Sequence, residues 1–273
     1  MNNRLQVVIL SSKLPEDIWL INKIAEVSHI MGIVFPVGER YKEFAIFQVL
    51  KKRLRRSGFL GTVDQALLVL YRLVIESQKD KRAVREIFID KPYQYVEKEG
   101  IDTLCVEDIN CEEVRSFILS KSPQLVVVSG TPLLKKRVIE SAKGRIINLH
   151  PGYAPQYRGR YGAFWPIYNR EPELVGVTVH FLDEGVDTGA ILIRQVVNYD
   201  LSDNLKTISY KQHKVGGELL VKCLTQFDMM ASNAYHETDC PSKNYLAPGL
   251  THYLKARRWL KSRLRGDRFV SSS

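Results

Sequence analysis

Two kinds of apolar pattern alternate along the chain. Short runs such as "RLQVVIL" (Arg4 to Leu10), "GIVFPV" (Gly32 to Val37), "IDTLCVED", "PQLVVVSGTPLL" and "GRIINLH" predict strands, several of them apolar throughout. Between them lie segments with apolar residues at helical spacing. Starting near Pro15, "EDIWLINKIAEV" repeats Ile18, Ile21, Ile24 and Ala25, and "NCEEVRSFILSKS" separates two strand-like runs. Further on, "VGVTVHFLD" alternates and "GAILIRQVVNY" is apolar, so both predict strands. A helix from Asn204 to about Phe227 then carries Leu205, Ile208, Val215, Leu219, Cys223 and Phe227 on one stripe, with Gly216-Gly217 as its weak point. Strands and helices in this alternation predict an α/β fold, an open, doubly wound, mostly parallel sheet covered on both faces.

The stretch from about residue 40 to 85 is predicted to be helical, with Ala66, Leu67, Leu70, Leu73 and Val74 making an apolar face. Residues Tyr235 to Pro248 read as loop, and a last basic helix precedes a disordered "VSSS" tail. This predicts a main domain over residues 1–232, with a helical basic insertion at about 40–85, and a C-terminal extension over 233–273.

Composition adjusts the picture in a few places. With 273 residues, 45% hydrophobic and 26% charged, the chain reads as an ordinary globular protein. Its first residues, "MNNRLQVVIL", lack the long apolar core of a secretory signal. Its best apolar run, "ALLVLYRLVI", is short and carries Arg72, so no membrane span is expected. The cysteines Cys105, Cys111, Cys223 and Cys240 form no C-x-x-C pair, which argues against a disulfide framework or a zinc site and for the cytoplasm.

The net charge of +10 favours an anionic partner. Between Arg40 and Arg85 there are 12 Lys/Arg against 4 Asp/Glu, and from Thr251 to Ser273 there are 7 against 1. Two solvated helix faces account for this. The alternative is a surface for nucleic acid or membrane on segments 40–85 and 251–268, with a membrane-peripheral location. The turn after the first strand, "SSKLPED", offers no G-x-G-x-x-G, and no G-x-x-x-x-G-K-[ST] occurs, so nicotinamide chemistry and nucleotide hydrolysis drop away.

Candidate chemistry gathers in "INLHPGYAPQYRGRYGAFWPIY". Asn148 and His150 are two apart on a strand, so they project to one side at its C-terminal end, where open α/β sheets bind ligands. A carboxamide is a neutral donor for a developing oxyanion, and an imidazole exchanges protons near neutral pH. The pair lacks a carboxylate; "DEGVDTGAI" offers Asp183, Glu184 or Asp187, of which Asp187 is the best placed. Turn chemistry alone accounts equally well for Asn148 and Asp187, and His180, among apolar neighbours, reads as structural. The residues by themselves support an acyl-transfer or hydrolytic site, without a metal.

"INLHPGYAPQYRGRYGAFWPI" followed by "GVTVHFLDEGVDTGAILIRQ" resembles the signature of the folate-dependent formyltransferases: an N-x-H-P strand end, a P-x-Y-R-G loop, a G-V-T-V-H strand and a D-x-G turn, in that order. The resemblance is good from about Leu125 to Val197 and weak from Arg40 to Arg85 and after Phe227. It implies a Rossmann-like formyltransferase fold. It also implies that an amine attacks the formyl carbon of N10-formyltetrahydrofolate, a co-substrate. Asn148 and protonated His150 would stabilise the tetrahedral oxyanion, and Asp187 would keep His150 charged and help move the proton. Leu133, Leu134, Val138, Leu182, Asp183 and Val186 fall on the segments that form the family's pterin pocket.

The amine is less constrained. "SSKLPED" lacks the Gly-rich phosphate turn of glycinamide ribonucleotide formyltransferase. H-P-G-Y-A-P replaces the H-P-S-L-L-P usual in methionyl-tRNA formyltransferases, and the short stretch after the core lacks room for their C-terminal barrel. Sugar N-formyltransferases are the most similar type, which implies a nucleotide-linked 4-amino-4,6-dideoxy sugar as partner, facing Tyr157, Arg158 and Tyr161. Methionyl-tRNA or another amine, a formyltetrahydrofolate hydrolase and a binding or membrane-proximal scaffold are the alternatives, and homodimerisation stays open.

Overall fold

The period of two along each strand sorts the side chains into two separate cores. The computed structural model describes residues 4–37, 44–88, 101–200 and 203–270. Its strands are β1 (Gln6–Ser11), β2 (His29–Pro36), β3 (Asp102–Val106), β4 (Leu125–Ser129), β5 (Ile146–His150), β6 (Tyr157–Gly159), β7 (Gly176–Phe181), β8 (Ile191–Val196) and β9 (Lys243–Tyr245). Its α-helices are α1 (Pro15–Val27), α2 (Phe44–Tyr71), α3 (Ser77–Phe88), α4 (Glu112–Lys121), α5 (Lys136–Ser141), α6 (Phe164–Asn169), α7 (Leu205–Thr225), α8 (Phe227–Ser232) and α9 (Leu250–Val270). The main sheet has the order β3-β2-β1-β4-β5-β7-β8. β1 to β5 are parallel, and β7 and β8 run antiparallel at one edge. The expected doubly wound, mostly parallel α/β fold is the one observed.

Val7, Ile9, Phe35, Val127, Ile147 and Leu149 enter one core, capped by Leu20 and Ile24 of α1 and Leu220 and Cys223 of α7. Val8, Leu10, Val34, Val126, Val128 and Ile146 enter the other, beneath Ile118 of α4 and Val138 of α5. On β5, Asn148 and His150 share the parity of Ile146, so both stand on the α4–α5 side at the strand's C-terminal end. A third core joins Leu68 of α2, Phe164 and Ile167 of α6, Ile208 of α7 and Tyr253 and Leu260 of α9. The insertion, the loop after β5 and the C-terminal helix therefore share one apolar cluster.

Four features depart from what the pattern predicts or lie beyond its reach. First, the Tyr235–Pro248 stretch contains β9, which pairs in parallel with β6, Tyr157 opposite Lys243 and Gly159 opposite Tyr245. Three residues are too few to display a period. Second, Gly216-Gly217 is a point of close approach. A Cβ at Gly216 would lie 2.7 Å from Leu149 Cδ1 and 2.9 Å from Val177 Cγ2, so the missing side chain lets α7 settle on β5 and β7. Third, the helical stretch Gly58–Glu76 is long and apolar enough, by length and composition, to cross a membrane. The linear reading missed it because Asp64 and Gln65 interrupt the apolar run before Ala66. The stretch begins at a kink, Gly58 at φ 68°, and ends in a π-helical turn, Arg72–Glu76. Fourth, Ser271 to Ser273 of the tail and residues 40–43 of the insertion lie outside the described residues.

The seat of α7 on β5 gives a direct test. Gly216→Val forces Leu149 and Val177 apart and is expected to lower unfolding stability by about 1–3 kcal/mol. An unchanged urea midpoint for this variant would contradict the close packing.

Candidate active site

β5 delivers its polar pair to the sheet edge because its neighbour fixes the register. Asn148 lies opposite His180 of β7, and His150 opposite Thr178. Pro151 then ends the strand, and the chain folds back tightly. A side chain on Gly152 would strike His150 Nε2 and come within 2.7 Å of the Tyr157 carbonyl. That glycine lets the loop return, so that His150 Nε2 lies 3.0 Å from the Tyr157 carbonyl oxygen.

The carboxylate comes from the turn between β7 and β8. Asp187 has φ 51°, a left-handed conformation that aspartate tolerates better than most side chains. Its Oδ2 accepts the Gly159 amide at 2.8 Å and lies 3.5 Å from His150 Nδ1. Its Oδ1 lies 3.5 Å from His180 Nε2 and 3.4 Å from Asn148 Nδ2. Four groups from three segments thus converge on one largely buried carboxylate, 13% exposed.

Burial raises the proton affinity of Asp187, but His150, His180 and the Gly159 amide together outweigh it and hold the carboxyl below the usual carboxylate range. Asp187 is therefore ionised at neutral pH. Both ring nitrogens of His150 face acceptors, the Tyr157 carbonyl and the Asp187 carboxylate. A ring carrying two N–H groups satisfies both. His180 Nδ1 lies 2.7 Å from the Phe181 carbonyl, and its Nε2 lies 3.3 Å from Asn148 Nδ2 and 3.5 Å from Asp187 Oδ1.

The structure thus brings Asn148, His150 and Asp187 together and adds His180, which alternation alone reads as structural. The signal that points to His180 is the β5–β7 register, since a residue directly opposite Asn148 shares its face. The Gly159 amide and the Tyr157 carbonyl are backbone groups that no residue type announces.

The residues expected to face the amine differ in their surroundings. The Tyr157 side chain is 3% exposed. Its ring stacks on Tyr245, and its hydroxyl donates to Glu171 and accepts from Asn169. Burial, then the Glu171 carboxylate, push that phenol well above its ordinary range. The aromatic stack and Glu171 thus hold the Tyr157 side chain within the protein. Arg158 donates to the Val186 carbonyl at 2.9 Å and to Ser242 at 2.9 Å, so it braces the loop. Tyr161 is exposed and lines a cavity of about 300 Å³ with Leu68, Arg72, Leu73 and Pro248.

On the other flank, the "GTPLL" loop leaves β4 through Gly130 at φ 68°, where a Cβ would strike Asp17. Asp17 is itself buried and accepts from Ser12 and Ser129. Burial pushes its carboxyl up. Asn110 clasps the loop, donating to the Leu133 carbonyl at 3.1 Å and accepting the Lys135 amide at 2.5 Å. Lys136 pairs with Glu184 at 2.7 Å, which ties this loop to the one carrying Asp187. Leu133 is 68% exposed, and Leu134 and Leu182 are half-buried against the core. Val138 is 1% exposed and belongs to that core, so it backs the wall instead of lining it. Asp183 accepts the Gly185 amide and the Thr188 hydroxyl, holding the turn, and Val186 offers its carbonyl to Arg158. Leu134 and Leu182 thus pack against the same core, beside a loop whose backbone Asn110 holds. Among the described residues, no group of three or more His, Cys, Asp or Glu is placed to hold a metal ion.

The depressed Asp187 pKa has a definite sign. A carboxylate held below its unfolded value of 3.8 contributes stability above that pH and loses it as pH falls through the folded value. Asparagine accepts the same backbone angle, so Asp187→Asn removes the charge without straining the turn. The stability gap between wild type and this variant, measured by denaturant unfolding, is expected to be full at pH 7 and to shrink below about pH 4. A gap constant across that range would contradict the ionised carboxylate.

Comparison with known proteins places this geometry. A protein-family model described as "Formyl transferase" matches residues 61–224, more than half of the chain and further toward the N-terminus than the quoted signature. A methionyl-tRNA formyltransferase of Halothermothrix orenii is 35% identical over 136 residues, covering 50% of this chain and 43% of that protein. One from a Nitratiruptor species is 30% identical over 196 residues, covering 67% and 64% respectively. The chain thus spans less than two thirds of the length of these curated relatives. A solved sugar N-formyltransferase from a Shewanella species shares the fold at a TM-score of 0.53 and 18% identity, over 89% of this chain and 76% of that one. With its four-part signature gathered around one carboxylate and a family model matched over residues 61–224, more than half of its length, this chain belongs to the formyl transferase family.

Proposed function

We propose that this protein transfers a formyl group from N10-formyltetrahydrofolate to a primary amine, with Asn148, His150 and Asp187 at the reacting centre. The observation that carries this reading is the convergence of Asn148, His150, His180 and the Gly159 amide on the ionised Asp187. The folate supplies the activated formyl group, and the apolar patch around Leu133, Leu134 and Leu182 would hold its pterin against the backbone of the Asn110-clasped loop.

His150, with both nitrogens protonated, sets a positive charge beside the carbonyl oxygen under attack. Asn148 adds an N–H. Its Nδ2 lies 3.3 Å from His180 Nε2 and 3.4 Å from Asp187 Oδ1, long contacts that are easily exchanged for a shorter one to an oxygen gaining charge. Asp187 holds the imidazolium in place. Its low proton affinity makes it a poor resting place for a proton, so it acts chiefly as an anchor, and the amine's proton passes to N10 by way of water. One N–C bond forms at the amine, the bond to N10 breaks, and tetrahydrofolate leaves with the proton.

For the acceptor, we favour a small amine carried on a nucleotide-linked 4-amino-4,6-dideoxy sugar. Gly152 supports this, because the space beside His150 lacks room for the serine usual at this position in methionyl-tRNA formyltransferases. Methionyl-tRNA is the second reading, favoured by the names of the curated relatives and by the basic surface.

Purified protein given the folate donor and a panel of amines is expected to release tetrahydrofolate only when an amino sugar is present. Release without any amine would mean a hydrolase. Release only with charged tRNA, falling steeply with salt, would favour the second reading. His150→Ala is expected to cut turnover about 10²–10⁴-fold. Gly152→Ala, which displaces the same ring, is expected to cost about 100-fold with an unchanged far-ultraviolet circular dichroism spectrum. Full turnover in either variant would overturn the assignment.

A further inference from the structure

The stretch Gly58–Glu76 is built inside out. Apart from glycine, every exposed residue in it is apolar: Phe59, Leu60, Leu67, Leu70, Leu73 and Val74 among others, with Leu60 81% and Val74 69% exposed. Its polar side chains turn the other way, into the protein. Asp64 accepts from the Thr251 amide at 3.0 Å and its hydroxyl at 2.7 Å, and Gln65 donates to the Ala247 carbonyl at 3.0 Å. Arg72 pairs with Asp80 at 3.3 Å, and buried Glu76 accepts from the Tyr253 hydroxyl. A helix on the surface of a water-soluble protein has the reverse arrangement.

These contacts decide between two ways of meeting a bilayer. By composition the stretch could span one, but spanning would pull Asp64, Gln65 and Glu76 off α9 and the 247 loop and leave them unpaired in hydrocarbon. Lying flat keeps every one of those bonds and buries only the apolar face. The charges suit the same geometry. "KKRLRRS" immediately precedes Gly58, and α9, packed alongside through Tyr253, exposes Lys255, Arg258 and Lys261. Cations flanking an apolar helix face match an anionic headgroup layer above an acyl boundary.

We propose that the Gly58–Glu76 face docks the protein onto an anionic phospholipid surface as an in-plane, non-spanning element. The docked face is continuous with the candidate active site's loop. Tyr161 lines the same cavity as Leu68 and Leu73, and it lies two residues after Gly159, whose amide binds Asp187. The proposal does not depend on which amine is formylated.

Co-sedimentation tests it. Wild-type protein is expected to pellet with phosphatidylcholine vesicles containing phosphatidylglycerol, and far less with phosphatidylcholine alone or in high salt. The double variant Leu60→Glu/Val74→Glu is expected to lose vesicle binding at least tenfold while keeping the wild-type thermal midpoint, since both positions are exposed. Three results would overturn the proposal. These are no pelleting of the wild type, equal pelleting on neutral and anionic vesicles, or a wild-type dimer in sedimentation equilibrium that the double variant makes monomeric.

Discussion

The site is organised around the charge on Asp187. A buried carboxylate is costly unless it is met by donors, and here His150, His180, Asn148 and the Gly159 amide meet it together. They arrive on three pieces of chain: Asn148 and His150 at the end of β5, His180 near the end of β7, and the Gly159 amide in β6. The carboxylate thus fixes the distance between a strand end and the loop that follows it. Around this charge the two flanking loops are pinned separately, one by Asn110 and the Lys136–Glu184 pair, the other by Arg158 on Val186 and Ser242.

Much of this was legible in the sequence, and the limits are physical. The apolar strand runs and their alternation place Asn148 and His150 on one side, and the parity of Ile146 in the structure agrees with that. Asp187 stands out because it sits among small residues in a turn. His180 did not, because its role comes from a cross-strand register that a single strand does not display. β9 is too short to have a period, and the backbone donors and acceptors at Gly159 and Tyr157 have no residue signature. Tyr157 carried the opposite problem. A tyrosine in a polar loop suggests a ligand contact, yet stacking on Tyr245 and the bond to Glu171 hold its ring in the protein.

The helical insertion is where local pattern and tertiary structure diverge most. Ala66, Leu67, Leu70, Leu73 and Val74 do form one apolar face, but it points outward, because Asp64, Gln65 and Glu76 have stronger claims on the inside. The third core then links this insertion mechanically to α6, which continues the loop after β5, and to the basic α9. The outer face of α2 is therefore joined by packing to the segment that follows β5.

The central claim is that the Asp187-centred cluster carries out formyl transfer and does not merely hold the fold. Single-turnover transfer of labelled formyl from the folate to an accepted amine, measured for wild type and Asp187→Asn alongside folate binding, tests it most directly. The account predicts a transfer rate lowered at least about 100-fold with folate affinity little changed. Transfer at the wild-type rate by a folded Asp187→Asn protein would contradict it.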